Sequence, residues 1–413
     1  MKMSRIVALI LVIVSLLSCF VACGPKPDPN EGKSKEKITI WVSEKKGVAE
    51  FTKAQIAQFL ADNPDYGYTI DDFVIEGVTE ADAAGQVLID VADAPDIYCF
   101  AQDQLARLVQ ASALAPLGQK ASAEITANND EVSILSSTVG NKLYAYPLTS
   151  DNGYYLYYDT SIVSDPTDLQ AIVDDCVNNG AKFHFELGNG WYAASFFFGV
   201  GCKSVWETDD DGNFVGIDDT FDDDTLGVTA MKGVQIVTKS DCYVSSSTVE
   251  GDNLGAIVTG TWNAEDAEEY FGEYLGVCKL PSFTVDGNTY QLGSFSGCKL
   301  MGVKPQADAE KGAFCSALAL YLSGEKCQLE RFQEYQWGPS NKTLQERDDV
   351  KNNPSLIALA AQNEHAVPQG YIPNEWWTSA ANLAKSAATC ADDEEIKTAL
   401  GQYRSEIEAV LNK

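Results

Sequence analysis

The chain has 413 residues, 60 of them Asp or Glu against 29 Lys or Arg, for a formal net charge of −31. So acidic a chain repels nucleic acid and anionic lipid headgroups, which excludes nucleic-acid binding as its role. The only histidines, His184 and His365, lie in unrelated contexts and no paired Cys/His spacing occurs, so no metal and no other cofactor is expected.

At the amino end, Lys2 and Arg5 precede the apolar run from Ile6 to Leu17, broken only by Ser15. About a dozen residues are too few for a membrane span, which takes about twenty. A positive start, a short apolar core and small residues at its end describe a secretory signal. Two cysteines follow such residues, Cys19 after Leu16-Leu17-Ser18 and Cys23 after Phe20-Val21-Ala22. Both stretches resemble a bacterial lipobox, whose cysteine is diacylated. Cys23 is the better anchor, because Ala22 precedes it, Gly24 follows it and a polar stretch begins at once. The expected organisation is a signal peptide over 1–22, then a flexible tether over 23–36 holding the body at the outer face of the cell membrane. Loss of Lys2 and Arg5 with the signal takes the charge from −31 to −33.

The body is expected to start near Ile38, leaving roughly 375 residues, enough for two domains. Strands are expected at 37–42, 72–75 and 95–100, with helices over 47–60, 80–92 and 102–112 between and after them. Strands alternating with helices of that length indicate a mainly parallel sheet with crossover helices. At 143–151 the chain changes character and enters an aromatic strand at 154–159. Residues 208–224 carry many carboxylates around Asp211-Gly212; a calcium loop needs glycine where Phe214 stands, so a solvated hairpin is expected. A helix over 225–237 precedes a buried strand at 255–260, and strands follow at 275–281 and 298–303. Helices close the chain over 310–322, 326–335, 354–361, 376–388 and 394–411. Nine cysteines remain in the body, an odd number set largely in apolar runs, which favours reduced, buried thiols over a disulfide scaffold.

Motifs for catalysis are missing. The segment Gly293-Ser294-Phe295-Ser296-Gly297 has phenylalanine where a nucleophile elbow needs serine. Neither a dinucleotide nor a phosphate loop pattern occurs, and a non-enzymatic role is expected.

Several segments in order resemble the extracellular solute-binding proteins of the maltose/maltodextrin-binding type. They are Ile38–Val42 before Lys45-Lys46-Gly47, Ala94–Tyr98 with Phe100–Asp103, Lys142–Pro147, Val258–Trp262 and Leu280-Pro281. Residues 160–250 and 340–372 match poorly. The resemblance implies an α/β fold of two lobes, like that of the periplasmic binding proteins, with a ligand cleft between them. It places hinge crossings near Leu148–Asn152, Gly293–Gly297 and Pro339–Leu344. One lobe would hold 37–149 and 297–340, the other 152–293 and 345–413. The implied partners are an oligosaccharide and the permease subunits of an ABC importer, the receptor acting as a lipid-anchored monomer.

A pyranose offers an apolar C–H face to aromatic planes and a hydroxyl edge to carboxylates, amides and cations. The resemblance assigns Trp191 with Tyr192, Trp262, and Trp376 with Trp377 to stacking positions. It assigns Lys46, Asp103 and Asp151 to hydroxyls, and places Phe100 and Asn189 where relatives carry other ligand groups. Trp41, inside the first strand, is expected in the core. Phe100 and Gln104 replace Trp and Arg, and Ala380 and Ala381 stand one helical turn after the tryptophan pair, departures that point away from maltose itself. The alternatives are a non-sugar solute on the same fold, or a secreted glycan-degrading enzyme using a carboxylate pair.

Overall fold

The computed structural model describes residues 36–411, so the signal region, Cys23 and nearly all of the tether lie outside them. The folded body begins at Ile38. Its two principal sheets use ten strands: β1 (Ile38–Ser43), β2 (Phe73–Val78), β3 (Ile97–Ala101), β4 (Ala145–Thr149), β5 (Tyr155–Asp159), β6 (Lys182–His184), β7 (Tyr243–Val244), β8 (Leu254–Thr259), β9 (Leu275–Cys278) and β10 (Lys299–Val303). The first sheet runs β2-β1-β3-β10-β4, the second β7-β6-β8-β5-β9.

In each sheet one strand opposes its neighbours, and in each case that strand follows a crossing. β5, reached straight from β4, is antiparallel to β8 and β9; β10, reached from Ser294–Ser296, is antiparallel to β3 and β4. The other pairings are parallel, as alternating strands and crossover helices require.

Strand alternation sorts the apolar residues onto two faces of each sheet. Ile38, Ile40 and Val42 of β1 join Phe314, Leu318 and Leu322 of the helix Ala309–Leu322, while Trp41 packs half-buried toward the opposite face. Along β5, Leu156 enters the larger core of the second sheet, whereas Tyr155 and Tyr157 join Ile257 and Leu359 behind it. Trp376 and Phe196 fill that larger core. All nine cysteines of the body are free; eight are buried and Cys278 is half-buried.

Several elements differ from the expected ones. The helix over 80–92 shrinks to Ala83–Val87. Helices form at Gln119–Asn128 and Glu131–Ser136, where apolar periodicity is weak, and at Leu169–Asn178, where Leu169, Ile172, Val173 and Cys176 fall on one buried face, a usable signal that the expected elements leave out. Trp191 and Tyr192, whose place after Gly188-Asn189-Gly190 reads from sequence as a strand end or loop, open the helix Gly190–Gly199; its aromatic run is buried almost all round, which erases an amphipathic signature. The acidic segment forms the expected hairpin, Ser204–Thr208 paired with Phe214–Asp219. No helix among the described residues is long and apolar enough to cross a membrane.

Candidate functional site

Between the ends of the two sheets lies a cavity of about 790 Å³. The first-sheet side lines it with Lys45, Glu80, Asp103 and Lys299, the second with Trp191, Tyr192, Trp262 and Trp377. Asn189 and Asn152 also reach it.

Trp262 stands where the buried strand β8 ends. Gly260 allows the chain to turn there: a Cβ at that position would sit 2.2 Å from the Trp262 ring and 2.6 Å from the Gly153 carbonyl. The Trp191 ring lies 5.9 Å from that of Trp262, inclined by 44°, and meets Tyr154 edge-on at 4.5 Å. Trp191 and Tyr192 open the helix Gly190–Gly199, whose cap is Asn189, with its Oδ1 accepting from Trp191 N at 2.9 Å. Gly190 lets this helix start close against Trp377, since a Cβ there would lie 2.6 Å from the Trp377 carbonyl. Trp377 is half-buried, braced edge-on by Trp376 and Phe295.

The opposite wall is polar and largely self-paired. Lys45 Nζ reaches across the cleft to the Trp262 carbonyl at 2.8 Å and to Glu265 at 3.0 Å. Lys299 Nζ lies 3.5 Å from Glu80 and over the rings of Trp262 and Trp337, at 5.3 and 4.8 Å from their centroids. Asp103 is buried, with Oδ1 lacking a donor within hydrogen-bonding distance. Burial pushes its carboxyl up to about 7, against the opposing field of Arg107, the local backbone and the side chains of Gln369 and Trp377. A buried acceptor with spare capacity, facing aromatic planes, suits a ligand that carries hydroxyl donors and apolar faces together.

Of the residues singled out from sequence, Asp103, Asn189, Trp191, Tyr192, Trp262 and Trp377 meet around this cavity. Four do not line it. Lys46 is exposed and its neighbour Lys45 points in; Gly47, at φ 90°, turns the chain before the helix Val48–Asp62 begins, shifting the register by one residue. Phe100 is fully buried on β3 with Leu300 and Leu114, where strand alternation directs it into the core. Trp376 is fully buried, its Nε1 donating to Asp219 Oδ2 at 2.9 Å. Asp151 is a structural pin: its Oδ2 accepts from Thr261 Oγ1 at 2.6 Å and from Gly338 N at 2.7 Å.

Those bonds place Asp151 where the chain passes between the sheets. Asn152 N donates to the Gly297 carbonyl at 3.0 Å, so two of the crossings are tied side by side. Around the expected third crossing, Ser340 bonds to Asn129, Asn341 to Gln328 and Gln345 to Asp130.

Sequence reasoning missed Lys45, Lys299 and Gln369. A lysine opening an otherwise apolar strand was a usable signal for Lys299; Gln369 sits in an irregular segment and gave none.

A two-sheet α/β body with an aromatic-and-carboxylate cleft defines a solute receptor, and the family comparison agrees. Residues 54–358 match the model for bacterial extracellular solute-binding proteins, and the chain belongs to that family. It is therefore an extracytoplasmic binding protein of a family that serves importers, not a family of enzymes. A galactooligosaccharide-binding protein of Bacillus subtilis (strain 168) is 25% identical, the match covering 98% of this chain and 99% of that one. A maltodextrin-binding protein of L. casei BL23, solved without ligand, superposes with a TM-score of 0.74 at 20% identity over 91% of this chain and 99% of the other. The maltose-maltodextrin binding protein of Alicyclobacillus acidocaldarius gives 0.72 at 19% identity, over 90% and 100%. These structures share the two-lobed fold.

Proposed function

We propose that this chain is the lipid-anchored receptor of an ABC importer, binding an oligosaccharide between two lobes that close on it and deliver it to the permease. The observation that carries this reading is the facing of Trp191, Trp262 and Trp377 against Asp103 across one cavity. Aromatic planes suit the C–H faces of successive sugar rings, and the carboxylate accepts from their hydroxyls. The names of the relatives, one a galactooligosaccharide and two a maltodextrin binder, support a neutral oligosaccharide. The lobes are taken as 37–149 with 297–340, and 152–293 with 345–413, and Cys23 as the acylated residue of a monomer. Catalysis is not assigned: the cavity's carboxylates serve as hydroxyl acceptors.

Melting the body from Lys37 onward in the presence of malto- and galacto-oligosaccharides tests this. A bound sugar at about a hundred times its Kd stabilises by roughly 2.7 kcal/mol and raises Tm by several degrees. A rise for one glycan class, lost in Trp262→Ala, supports the receptor. A rise only with peptides, polyamines or metal ions discards the carbohydrate. Acylation is tested separately by metabolic labelling with a fatty-acid probe, which Cys23→Ser should abolish and Cys19→Ser should leave.

A further inference from the structure

Gln369 follows the short strand Ala366–Pro368, which pairs in parallel with Ser294–Ser296 just before the chain crosses to β10. It is buried yet lines the cavity. Its backbone N donates to the Ser296 carbonyl at 2.8 Å, and its carbonyl accepts from Gln102 Nε2. Gln102 in turn accepts from Cys298 N at 2.6 Å, and it immediately precedes Asp103. The Gln369 side chain works on the ligand side of this lattice. Its Oε1 accepts from Trp191 Nε1 at 3.0 Å, and it approaches Asp103 closely enough to favour the charged carboxylate. One glutamine thus holds an aromatic platform of one wall, is tied to the crossing between the sheets, and lines the same cavity as the acidic acceptor of the other wall.

We propose that Gln369 is a positioning residue: its side chain fixes the Trp191 ring relative to the Asp103 carboxyl, and its backbone ties that pair to the crossing at Ser296–Cys298. The proposal rests on the oligosaccharide reading for its ligand, but its geometry is present without one. The amide is suited to the task because it accepts from an indole N–H and offers N–H groups to a carboxylate at the same time. Leucine does neither; glutamate keeps the acceptor and loses the donor. The titratable groups around Asp103 are Arg107 on the following turn, Tyr371 beside Arg107, and, lining the same cavity, the Glu80–Lys299 pair with Glu44, Lys45, Asp82, Glu186 and Asp266. None is altered by these substitutions.

The test is Gln369→Leu and Gln369→Glu in the body from Lys37 onward, with maltotriose and galactotriose as probes. Affinity for whichever sugar binds should fall about tenfold in the leucine variant, and its pH midpoint should rise because a donor to Asp103 is gone. The glutamate variant keeps the acceptor for Trp191 but sets a second carboxylate near Asp103, so its pH midpoint should rise further than that of the leucine variant. Without any sugar, the Trp191 emission, taken as the difference from Trp191→Phe, should follow pH near neutrality in the native chain and lose that dependence in Gln369→Leu. This last reading decides the proposal even where both sugars fail to bind, an outcome that counts against the oligosaccharide reading alone. Folded variants with native pH midpoints and native Trp191 emission would overturn it, leaving Gln369 a packing residue. If the leucine variant does not fold, the glutamate variant carries the same comparison.

Discussion

The two walls of the cleft are made of different chemistry. The second-sheet wall is a row of indoles and a phenol held by packing, with Trp191, Tyr192 and Tyr154 meeting one another at 4.5 to 5.0 Å. The first-sheet wall consists of ionisable groups held by one another, with Lys45 and Lys299 already committed to carboxylates and to indole faces. Aromatic planes fixed by a core lose little entropy on binding, so they supply area. Charges in the cleft supply direction, and Asp103, whose buried Oδ1 lacks a donor, keeps acceptor capacity to spare. A ligand must touch both walls to collect both contributions, which couples its affinity to lobe closure.

Removing the aromatic side should cost most. Trp262→Ala deletes a ligand platform and the ring over which Lys299 sits. By the usual scale for a buried tryptophan at a binding site, about 2–4 kcal/mol, affinity should fall by roughly thirtyfold or more in calorimetric titration. A loss of only twofold would mean that the platform lies elsewhere.

The polar side should give a smaller and pH-dependent effect. Burial pushes the Asp103 carboxyl up to about 7 in the folded chain, against about 3.9 for a free aspartate. Between those values the native state holds a proton that the unfolded state releases, so this group's contribution to stability falls as pH rises from about 4 to 7 and then levels off. Asp103→Asn should flatten that limb in denaturant titrations. Hydroxyl donors prefer the charged carboxylate, so native affinity should rise over the same interval. The variant should match the native chain near pH 5 and be about tenfold weaker at pH 8. Equal ratios at both pH values would remove Asp103 from the ligand.

Asp151 acts behind both walls. Replacing it with Asn weakens its hold on Thr261 and Gly338. The loss of a charged acceptor in a buried network costs about 1–3 kcal/mol of stability. The effect on the sugar should be only a few-fold, through the altered seat of Trp262, and Tm should move more than Kd.

The fold was legible because strand–helix alternation is a long-range pattern that survives local error, as the shortened helix Ala83–Val87 shows. The site was legible where a residue is fixed to the end of a strand or the start of a helix, as with Trp262, Asn189 and Trp377. It was misread where a single position decides: in the turn between β1 and the helix Val48–Asp62 Lys45 enters the cavity while Lys46 stays exposed, and on β3 the strand directs Phe100 into the core. Contacts between segments far apart in the chain, such as Gln369 with Trp191 at a separation of 178 residues, leave no trace in local pattern.

The tryptophan pair sharpens the comparison to a single step along one helix. Trp376 and Trp377 are neighbours, yet about 100° of helical rotation separates their side chains. Trp376 points into the core, with no exposed surface, and bonds Asp219, which also accepts from Tyr403 at 2.9 Å. Trp377 points into the cavity. Trp376→Phe keeps most of the apolar volume but removes one donor from a buried carboxylate whose proton affinity burial already raises. It should lower stability by about 1–3 kcal/mol and leave sugar affinity within about twofold of native. Trp377→Phe should do the reverse, holding Tm nearly constant while weakening the sugar several-fold. If both variants weakened the sugar equally, the division between core and cleft drawn along this helix would be wrong, and the second wall would extend one residue deeper than its geometry implies.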